Sequence, residues 1–180
     1  MYIPQIQLKN LKQSVMPGKV IVIYGARRTG KTTLLKEFLK NESEQYTLVS
    51  GDDITIQSYL SSQSIEKLKT FVGVIKLLAV DEAQKIPHIG INLKLIVDHM
   101  PDVRVIVTGS SSFDLARSTG EPLTGRKFTL KLFPLAQLEI GQIEKIHQTQ
   151  ANLENRLIYG SYPEIVLMPD GSSIRAILTQ

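Results

Sequence analysis

An apolar run that leads into a glycine-rich, basic loop constrains the fold of this chain more than any other feature. Residues 20–24 (VIVIY) all favour β-strands, and the octapeptide GARRTGKT follows at once. Residues 32–40 then carry leucine and phenylalanine at helical spacing. A strand that turns through glycines into a helix predicts a loop whose backbone N–H groups converge on an anion, because glycine permits approaches that a Cβ would block.

The octapeptide matches the pattern G-x-x-x-x-G-K-[ST] at four fixed positions. In this motif the lysine ammonium reaches the β- and γ-phosphates of a nucleotide, and the following hydroxyl binds Mg²⁺. Chance occurrence of the pattern between a strand and a helix is rare, so we predict a nucleotide site. The predicted nucleotide-binding residues of the loop are Gly25, Arg28, Thr29, Gly30, Lys31, Thr32 and Thr33, with Thr32 also on the metal.

A second strand ends in two acids. The run LLAV is followed by Asp81 and Glu82, and in a parallel sheet with a phosphate loop this strand end lies beside the loop. A carboxylate buried there without a cation would cost several kcal/mol. We therefore predict that Asp81 holds Mg²⁺ and that Glu82 polarises the water that attacks the γ-phosphate. The alternative is that the two acids only begin a helix, as a cap.

Other polar residues near strand ends are candidates with clear alternatives. Thr108 or Ser110, near the end of the apolar strand at 103–108, can hydrogen-bond the attacking water or the γ-phosphate. The alternative is that Ser110 to Ser112 cap a following helix. Arg126 is a candidate for stabilising the transferred phosphoryl group, within its own subunit or across an interface. For Arg126, as for Arg27 and Arg28, the alternative is an ordinary solvated arginine.

Periodicity predicts an alternating α/β chain. Further strands are predicted at residues 46–50, 74–80, 103–108 and 128–132, and helices at 54–71, 89–99, 135–146 and 151–159. Alternating strands and helices indicate a parallel sheet covered on both faces.

Composition limits the classes of function. The chain has 180 residues, of which 42% are hydrophobic, enough for a core. There is no apolar run of membrane-spanning length and no signal-like start. The absence of cysteine excludes disulfides and thiolate metal sites and fits a reducing cytoplasm. A net charge of +4 permits nucleic-acid contact without arguing for it.

Five segments in order, GARRTGKTTLL, LLAVDEAQ, VIVTGSSS, LTGRKFTLKLFPLAQLE and GSYPE, carry a family resemblance. Together they resemble the AAA-type ATPase domain of prokaryotic proteins that also carry a C-terminal DUF4143 domain, in the AAA+/STAND-like branch of P-loop NTPases. The phosphate loop alone is generic. Gly125-Arg126, the Pro-Leu and Glu139 that follow, and the turn from Gly160 to Pro163 are more specific.

The resemblance implies a P-loop NTPase fold: a five-stranded parallel sheet with an extra strand between the Walker A and Walker B strands. It implies ATP and Mg²⁺ as ligands, with Lys31 on the phosphates, Glu82 activating the water and Ser110 in the sensor position. Pro163 would lie beside the adenine with residues 2–4. Together with the candidate Arg126, the predicted catalytic residues are therefore Glu82, Lys31 and Ser110. Residues 1–150 would form the ATPase core. Residues 151–180 would begin a helical lid or a linker to a C-terminal domain missing from this chain.

This chain departs from the family pattern in two places. Relatives often carry an arginine shortly after the tyrosine-isoleucine opening, where this chain has Gln5-Ile6-Gln7, and many AAA+ proteins have asparagine at the position of Ser110. The implied function is ATP hydrolysis that drives a conformational change. The alternatives are a nucleotide-dependent switch with little turnover, a small-molecule phosphotransferase and a DNA-stimulated ATPase. An arginine acting in trans would require a homo-oligomer.

Overall fold

A five-stranded parallel sheet forms the centre of the computed structural model, which describes residues 2–110 and 123–168. In chain order the elements are α1 (Gln7–Ser14), β1 (Val20–Gly25), α2 (Lys31–Leu39), β2 (Tyr46–Ser50), α3 (Ile54–Leu60), α4 (Ile65–Val72), β3 (Leu77–Asp81), a 3₁₀ turn (Ala83–Lys85), α5 (Ile89–His99), β4 (Arg104–Ser110), β5 (Lys127–Leu132), α6 (Gln137–Ile140), α7 (Ile146–Ala151), α8 (Leu153–Tyr159) and α9 (Pro163–Val166).

The strand order is β2-β3-β4-β1-β5, and every neighbouring pair is parallel. Strand β4 therefore lies between β1, which precedes the phosphate loop, and β3, which ends in the acids. The predicted α/β fold with an extra strand between these two is confirmed. Because all the strands run the same way, the ends of β1, β3 and β4 that follow their apolar residues meet at one edge of the sheet.

The two faces of the sheet bury two separate cores. Val20 and Val22 of β1 pack with residues of α3, α4 and α5, whereas Ile21 and Ile23 pack with residues of α1 and α2. This alternation follows from the two-residue period of a strand, and burial on both faces explains why β1 and β3 read as continuous apolar runs. Each fully buried leucine or isoleucine side chain contributes about 1.5–3 kcal/mol.

Two predicted helices are wrong in extent. The helix predicted over residues 54–71 divides into α3 and α4, because Ser64 caps α4 by accepting a hydrogen bond from the Lys67 N–H at 3.4 Å. Gln63, with φ of 50°, turns the chain there, and its N–H donates to Asn92 Oδ1 at 2.8 Å. The helix predicted over 135–146 stops at Ile140, before Gly141, a weak helix former.

Most other predicted elements are confirmed to within one or two residues. The strand at residues 46–50 and the helix at 89–99 have the predicted bounds. Strand β3 begins at Leu77 rather than at Val74, which is 80% exposed beyond the turn at Gly73. The possible serine caps at 111–112 and the end of the proposed lid, residues 169–180, lie outside the described residues.

The amino-terminal segment packs against residues 135–140, which follow β5. Ile3, Leu135 and Ile140 form a third apolar cluster. Glu139 is buried, and its carboxylate accepts hydrogen bonds from the backbone N–H groups of Ile6 and Ala136, each at 2.7 Å. The two donors satisfy a carboxylate that would otherwise be costly to bury. Glu139 thereby holds the amino-terminal segment, at Ile6, against the start of α6.

Across the described part of the chain, no helix has the length and apolarity needed to cross a membrane.

Candidate active site

The phosphate loop takes its shape from two glycines. A Cβ on Gly25 would collide with the backbone carbonyl of Leu132 on β5, so the neighbouring strand leaves no room for a side chain there. Gly30 adopts φ of 92° at the start of α2, a left-handed conformation that favours glycine. The loop therefore turns tightly from β1 into the amino terminus of α2, where backbone N–H groups lack helical partners and suit an anion.

The Lys31 side chain is buried inside this loop. Its Nζ donates to the carbonyl oxygens of Gly25 at 3.0 Å and Ala26 at 2.8 Å. Burial lowers the pKa of Lys31, while the nearby carboxylates of Glu82 and Asp81 act in the opposite direction. The ammonium is thus held by neutral carbonyl groups at the site where the motif expects phosphate oxygens, which are stronger, charged acceptors.

The loop and the acidic strand end are in direct contact. Thr32 Oγ1 donates to Asp81 Oδ2 at 2.8 Å. The other carboxylate oxygen, Oδ1, accepts from the Thr108 hydroxyl and from the Glu82 N–H at 3.2 Å. The structure thus brings together the two residues that the sequence predicted as metal ligands, one hydroxyl and one carboxylate, and holds the carboxylate with two further donors.

Glu82 occupies an unusual backbone conformation, with φ of 52° and ψ of 40°. Left-handed conformations are uncommon for residues with a side chain, and they cluster at functional sites. The Glu82 N–H also donates to Thr108 Oγ1 at 3.2 Å, and its carboxylate accepts from the Gln84 side-chain amide. These contacts fix the direction of the carboxylate.

A pocket of about 400 Å³ opens between the loop and the acidic strand end. Its lining residues are Arg27, Arg28, Gly30, Lys31, Thr32, Asp52, Glu82 and Lys85. Predicted residues from both sides therefore share one cavity. Asp52 and Lys85, which sequence reasoning did not single out, belong to it because the end of β2 and the turn after β3 close its rim.

A smaller pocket of about 100 Å³ lies beside the first turn of α2, at Thr33. Its lining residues are Tyr2, Ile3, Gln5, Thr33, Leu135, Pro163 and Leu167. Gln5 Nε2 donates to the Thr29 carbonyl at 3.1 Å, which orients the amide, and Gln5 Oε1 is buried without a hydrogen-bond partner. Burial raises the pKa of the Tyr2 phenol, an effect that the Gln5 backbone amide partly offsets. Pro163 and residues 2–3 meet here, as the family resemblance implies.

Arg126 is not brought to this site within one subunit. Its carbonyl accepts from the N–H of Val20, the first residue of β1, at 2.8 Å, and its Nε donates to Asp98 at 2.6 Å. The loop follows the last residue of β1, roughly 16 Å further along the strand. A role for Arg126 at the γ-phosphate of its own subunit is therefore wrong, because the residue before a parallel strand lies at the opposite edge of the sheet.

Two other predicted residues make contacts that the sequence did not indicate. Arg28, which lines the pocket, forms an ion pair with Glu164 of α9 through Nη1 at 3.0 Å, so it joins the loop to α9. Ser110 is buried and pairs in register with Gly25. Thr108, the other residue considered, contacts both acids: its hydroxyl donates to Asp81 and accepts from the Glu82 N–H. Strand register gives the signal: Val107 pairs with Val80, so Thr108 comes level with Asp81.

A family model described as "AAA domain" matches residues 17–141. The chain belongs to the AAA domain family. The chain is 26% identical over 186 residues to the uncharacterized protein MJ1544 of Methanocaldococcus jannaschii, covering 96% of this chain and 42% of that protein. It is 29% identical over 133 residues to the uncharacterized protein Rv2008c of Mycobacterium tuberculosis, covering 73% and 29%. This chain therefore spans less than half the length of either relative.

Solved structures of ATPases share the fold. The chain superposes on the Walker-type ATPase PABY2304 of Pyrococcus abyssi with a TM-score of 0.58, 15% identity, and coverage of 92% of this chain and 66% of that one. It also superposes on a STAND protein with a tetratricopeptide repeat sensor from Pyrococcus horikoshii, with a TM-score of 0.57, 15% identity, and coverage of 92% and 29%. Membership of the family and this fold support nucleotide binding by the domain.

Proposed function

We propose that this AAA domain binds ATP with Mg²⁺ and hydrolyses it, and that the nucleotide state changes the conformation of a longer protein. The observation that carries the proposal is the 2.8 Å hydrogen bond between Thr32 Oγ1 and Asp81 Oδ2, beside the buried ammonium of Lys31. Loop glycines, a cation and a hydroxyl–carboxylate pair are the set that a triphosphate and its metal require.

The donor set fits Mg²⁺ only together with a nucleotide. Within residues 2–110 and 123–168, no three or more acidic, histidine or cysteine side chains are grouped so that they could hold a metal ion. Thr32 and Asp81 offer one hydroxyl and one carboxylate, and Mg²⁺ commonly completes such a set with waters and substrate phosphates. When bound, the metal would neutralise charge on the phosphates.

We expect calorimetry to show no binding of Mg²⁺ alone at millimolar concentration, and Mg²⁺ to tighten ATP binding about tenfold, or ~1.4 kcal/mol. The Thr32→Val variant, which keeps the shape but loses the hydroxyl, should lose most of this Mg²⁺ effect. The Thr70→Val variant, on the exposed surface of α4, is the matched control. Equal ATP affinity with and without Mg²⁺ would contradict the proposed metal site.

Glu82 is the proposed general base. Glu82 lines the same pocket as Lys31 and Thr32, its carboxylate accepts from the Gln84 side-chain amide, and its backbone is held by the hydrogen bond from its N–H to Thr108. A carboxylate held in this position can accept the proton of a water that attacks the γ-phosphorus. The support for this role is geometric.

The second candidate function is a nucleotide-dependent switch with little turnover. The observation that favours it is the position of Arg126, which leaves the site of a single subunit without the predicted arginine. We propose that any contact of Arg126 with the phosphates is made across an interface between two copies of the chain. The pairing with a DUF4143 domain remains a proposal for the part of the longer relatives that this chain does not span.

The small pocket supports adenine as the base. Gln5 Oε1 is a buried acceptor without a partner, and its orientation is set by the bond from Nε2 to Thr29. An unmade hydrogen bond of this kind is costly. The amino group of adenine is a donor that would satisfy this oxygen, whereas the corresponding oxygen of guanine or hypoxanthine is an acceptor and would face it unfavourably.

We expect ATP to bind at least about tenfold more tightly than GTP or ITP. The adenine amino group would donate a hydrogen bond to Gln5 Oε1, whereas the oxygen of the other two bases would be repelled by it. The Gln5→Leu variant should reduce this preference, and the ratio of the dissociation constants is the measurement. Gln7→Leu, on the neighbouring helix α1, is the control. If Gln5→Leu leaves the ATP-to-ITP ratio unchanged, Gln5 does not read the base.

A further inference from the structure

An ion pair that no sequence motif predicted stands at the rim of the phosphate pocket. Lys85, the last residue of the 3₁₀ turn after Glu82, places its Nζ against Asp52 Oδ1. Asp52 follows the end of β2, so the pair joins two loops at the edge of the sheet where the phosphate loop lies. Both residues line the 400 Å³ pocket with Lys31, Thr32 and Glu82.

The backbones that carry the two residues are fixed against each other. The Gly51 N–H donates to the Asp81 carbonyl at 2.8 Å, and a Cβ on Gly51 would collide with the carbonyl of Glu82. The Lys85 N–H donates to that same Glu82 carbonyl at 3.0 Å. The position of Lys85 is therefore tied, through one peptide group, to that of the proposed general base.

The pair itself is exchangeable. The side chains of Lys85 and Asp52 are 47% and 56% exposed, and exposed ion pairs are weak because water screens them. Asp52 raises the pKa of Lys85, so the lysine carries its charge throughout the neutral range. A doubly charged phosphate oxygen group entering the pocket would be a stronger partner for this ammonium than one solvated carboxylate.

The described cations that line the pocket come from two places in the chain. Of the described cationic residues that line the pocket, Arg27, Arg28 and Lys31 belong to the phosphate loop, and Arg28 also pairs with Glu164. Arg126 lies at the opposite edge of the sheet. Among the described residues, Lys85 is the cation that the turn after Glu82 brings to the pocket.

We propose that Lys85 exchanges Asp52 for the γ-phosphate when a triphosphate binds, and that it stabilises the transferred phosphoryl group within its own subunit. This inference rests on the proposed function. In the reaction the water oxygen bonds to the γ-phosphorus, the bridging oxygen leaves with ADP, and the proton of the water passes to Glu82. Lys85 balances the negative charge on the γ-phosphoryl oxygens and so distinguishes a triphosphate from a diphosphate.

The test measures the dissociation constants of ADP and of a non-hydrolysable ATP analogue, with Mg²⁺, together with kcat for ATP. The Lys85→Gln variant should bind the analogue about tenfold more weakly, bind ADP with less than a twofold change and have a lower kcat. Lys85→Arg should retain most of the affinity for the analogue and most of kcat. Lys76→Gln removes a similar exposed pair, Lys76 with Asp102 at 3.8 Å, away from the pocket and is the matched control.

The Asp52→Asn variant separates a phosphate contact from a structural role. If Lys85 acts on phosphate, Asp52→Asn removes its competitor, so the analogue should bind as tightly as to the wild type or more tightly. If the ion pair only holds the loops, Asp52→Asn should reproduce the losses of Lys85→Gln, and this result would overturn the inference. A wild type that binds no nucleotide overturns the proposed function as well, whereas normal wild-type binding with an unchanged analogue-to-ADP ratio in Lys85→Gln overturns this inference alone.

Discussion

Replacing Lys31 with alanine is expected to weaken ATP binding at least about 100-fold, or ~2.7 kcal/mol, because the loop would lose its buried cation. The Lys31 ammonium is held by the carbonyl oxygens of Gly25 and Ala26 at 3.0 and 2.8 Å, within reach of any phosphate that enters the loop. Neutral carbonyl acceptors are weaker partners than phosphate oxygens, so most of the lysine's contribution appears only when nucleotide is present. Calorimetric titration of ATP and ADP measures the loss.

The fold should survive this substitution. Lys31 opens α2, alanine is the best helix former, and burial already lowers the pKa of the lysine, which indicates an unfavourable environment for its charge. Lys36→Ala, on the exposed side of the same helix, is the matched control and should bind nucleotide as the wild type does. Unchanged ATP affinity in a folded Lys31→Ala variant would contradict the whole assignment of the site.

Local sequence signals predicted most of the architecture because they act over one element. The apolar run ending in Gly25 required a buried strand, and the strand ended where the pattern changed. The helix predicted over residues 54–71 was wrong because hydrophobic spacing continues across the break. There the side chain of Ser64 caps α4 and a buried asparagine, Asn92 on α5, holds the turn from another element. Hydrophobic spacing within one segment does not report the contacts that the segment makes with other elements.

The sequence predicted those site residues whose positions follow from the ends of the strands. Thr32 and Asp81 meet because both follow strands of one parallel sheet, a consequence of topology that motif order already implied. The choice between Thr108 and Ser110 needed the register between β3 and β4, which composition does not specify. Arg126 shows a different error, since it precedes its strand. A residue before a parallel strand lies at the edge away from the site, so this placement was open to sequence reasoning.

The pairing of Lys85 with Asp52 could not be inferred from sequence. The two residues are separated by α3, α4 and β3, and their loops meet only because Gly51 packs against the Glu82 backbone. Glu82 in turn has a left-handed conformation that no propensity favours. The side chains around Glu82 therefore depend on how the strands of the complete sheet pack, and local sequence preference does not predict them.

Replacing Glu82 with glutamine is expected to lower ATP turnover by about 100-fold or more while changing ATP affinity less than about twofold, as removal of a general base should. Glutamine has the same length and can keep the contact with Gln84, but it cannot accept a proton. The hydrogen bond from the residue 82 N–H to Thr108 is a backbone bond and is unaffected by the change. Phosphate release under single- and multiple-turnover conditions measures the chemical step apart from product release.

Glu66→Gln, in the exposed first turn of α4, is the control for a lost carboxylate far from the pocket and should retain wild-type turnover. The same experiment decides between the two candidate functions. An ATPase loses turnover on Glu82→Gln and keeps binding, whereas a switch binds ATP and ADP but shows almost no turnover even as the wild type. If the wild type hydrolyses ATP and Glu82→Gln does so at the same rate, the base lies elsewhere, and the strained conformation of residue 82 would have to serve only to seat Lys85 at the rim.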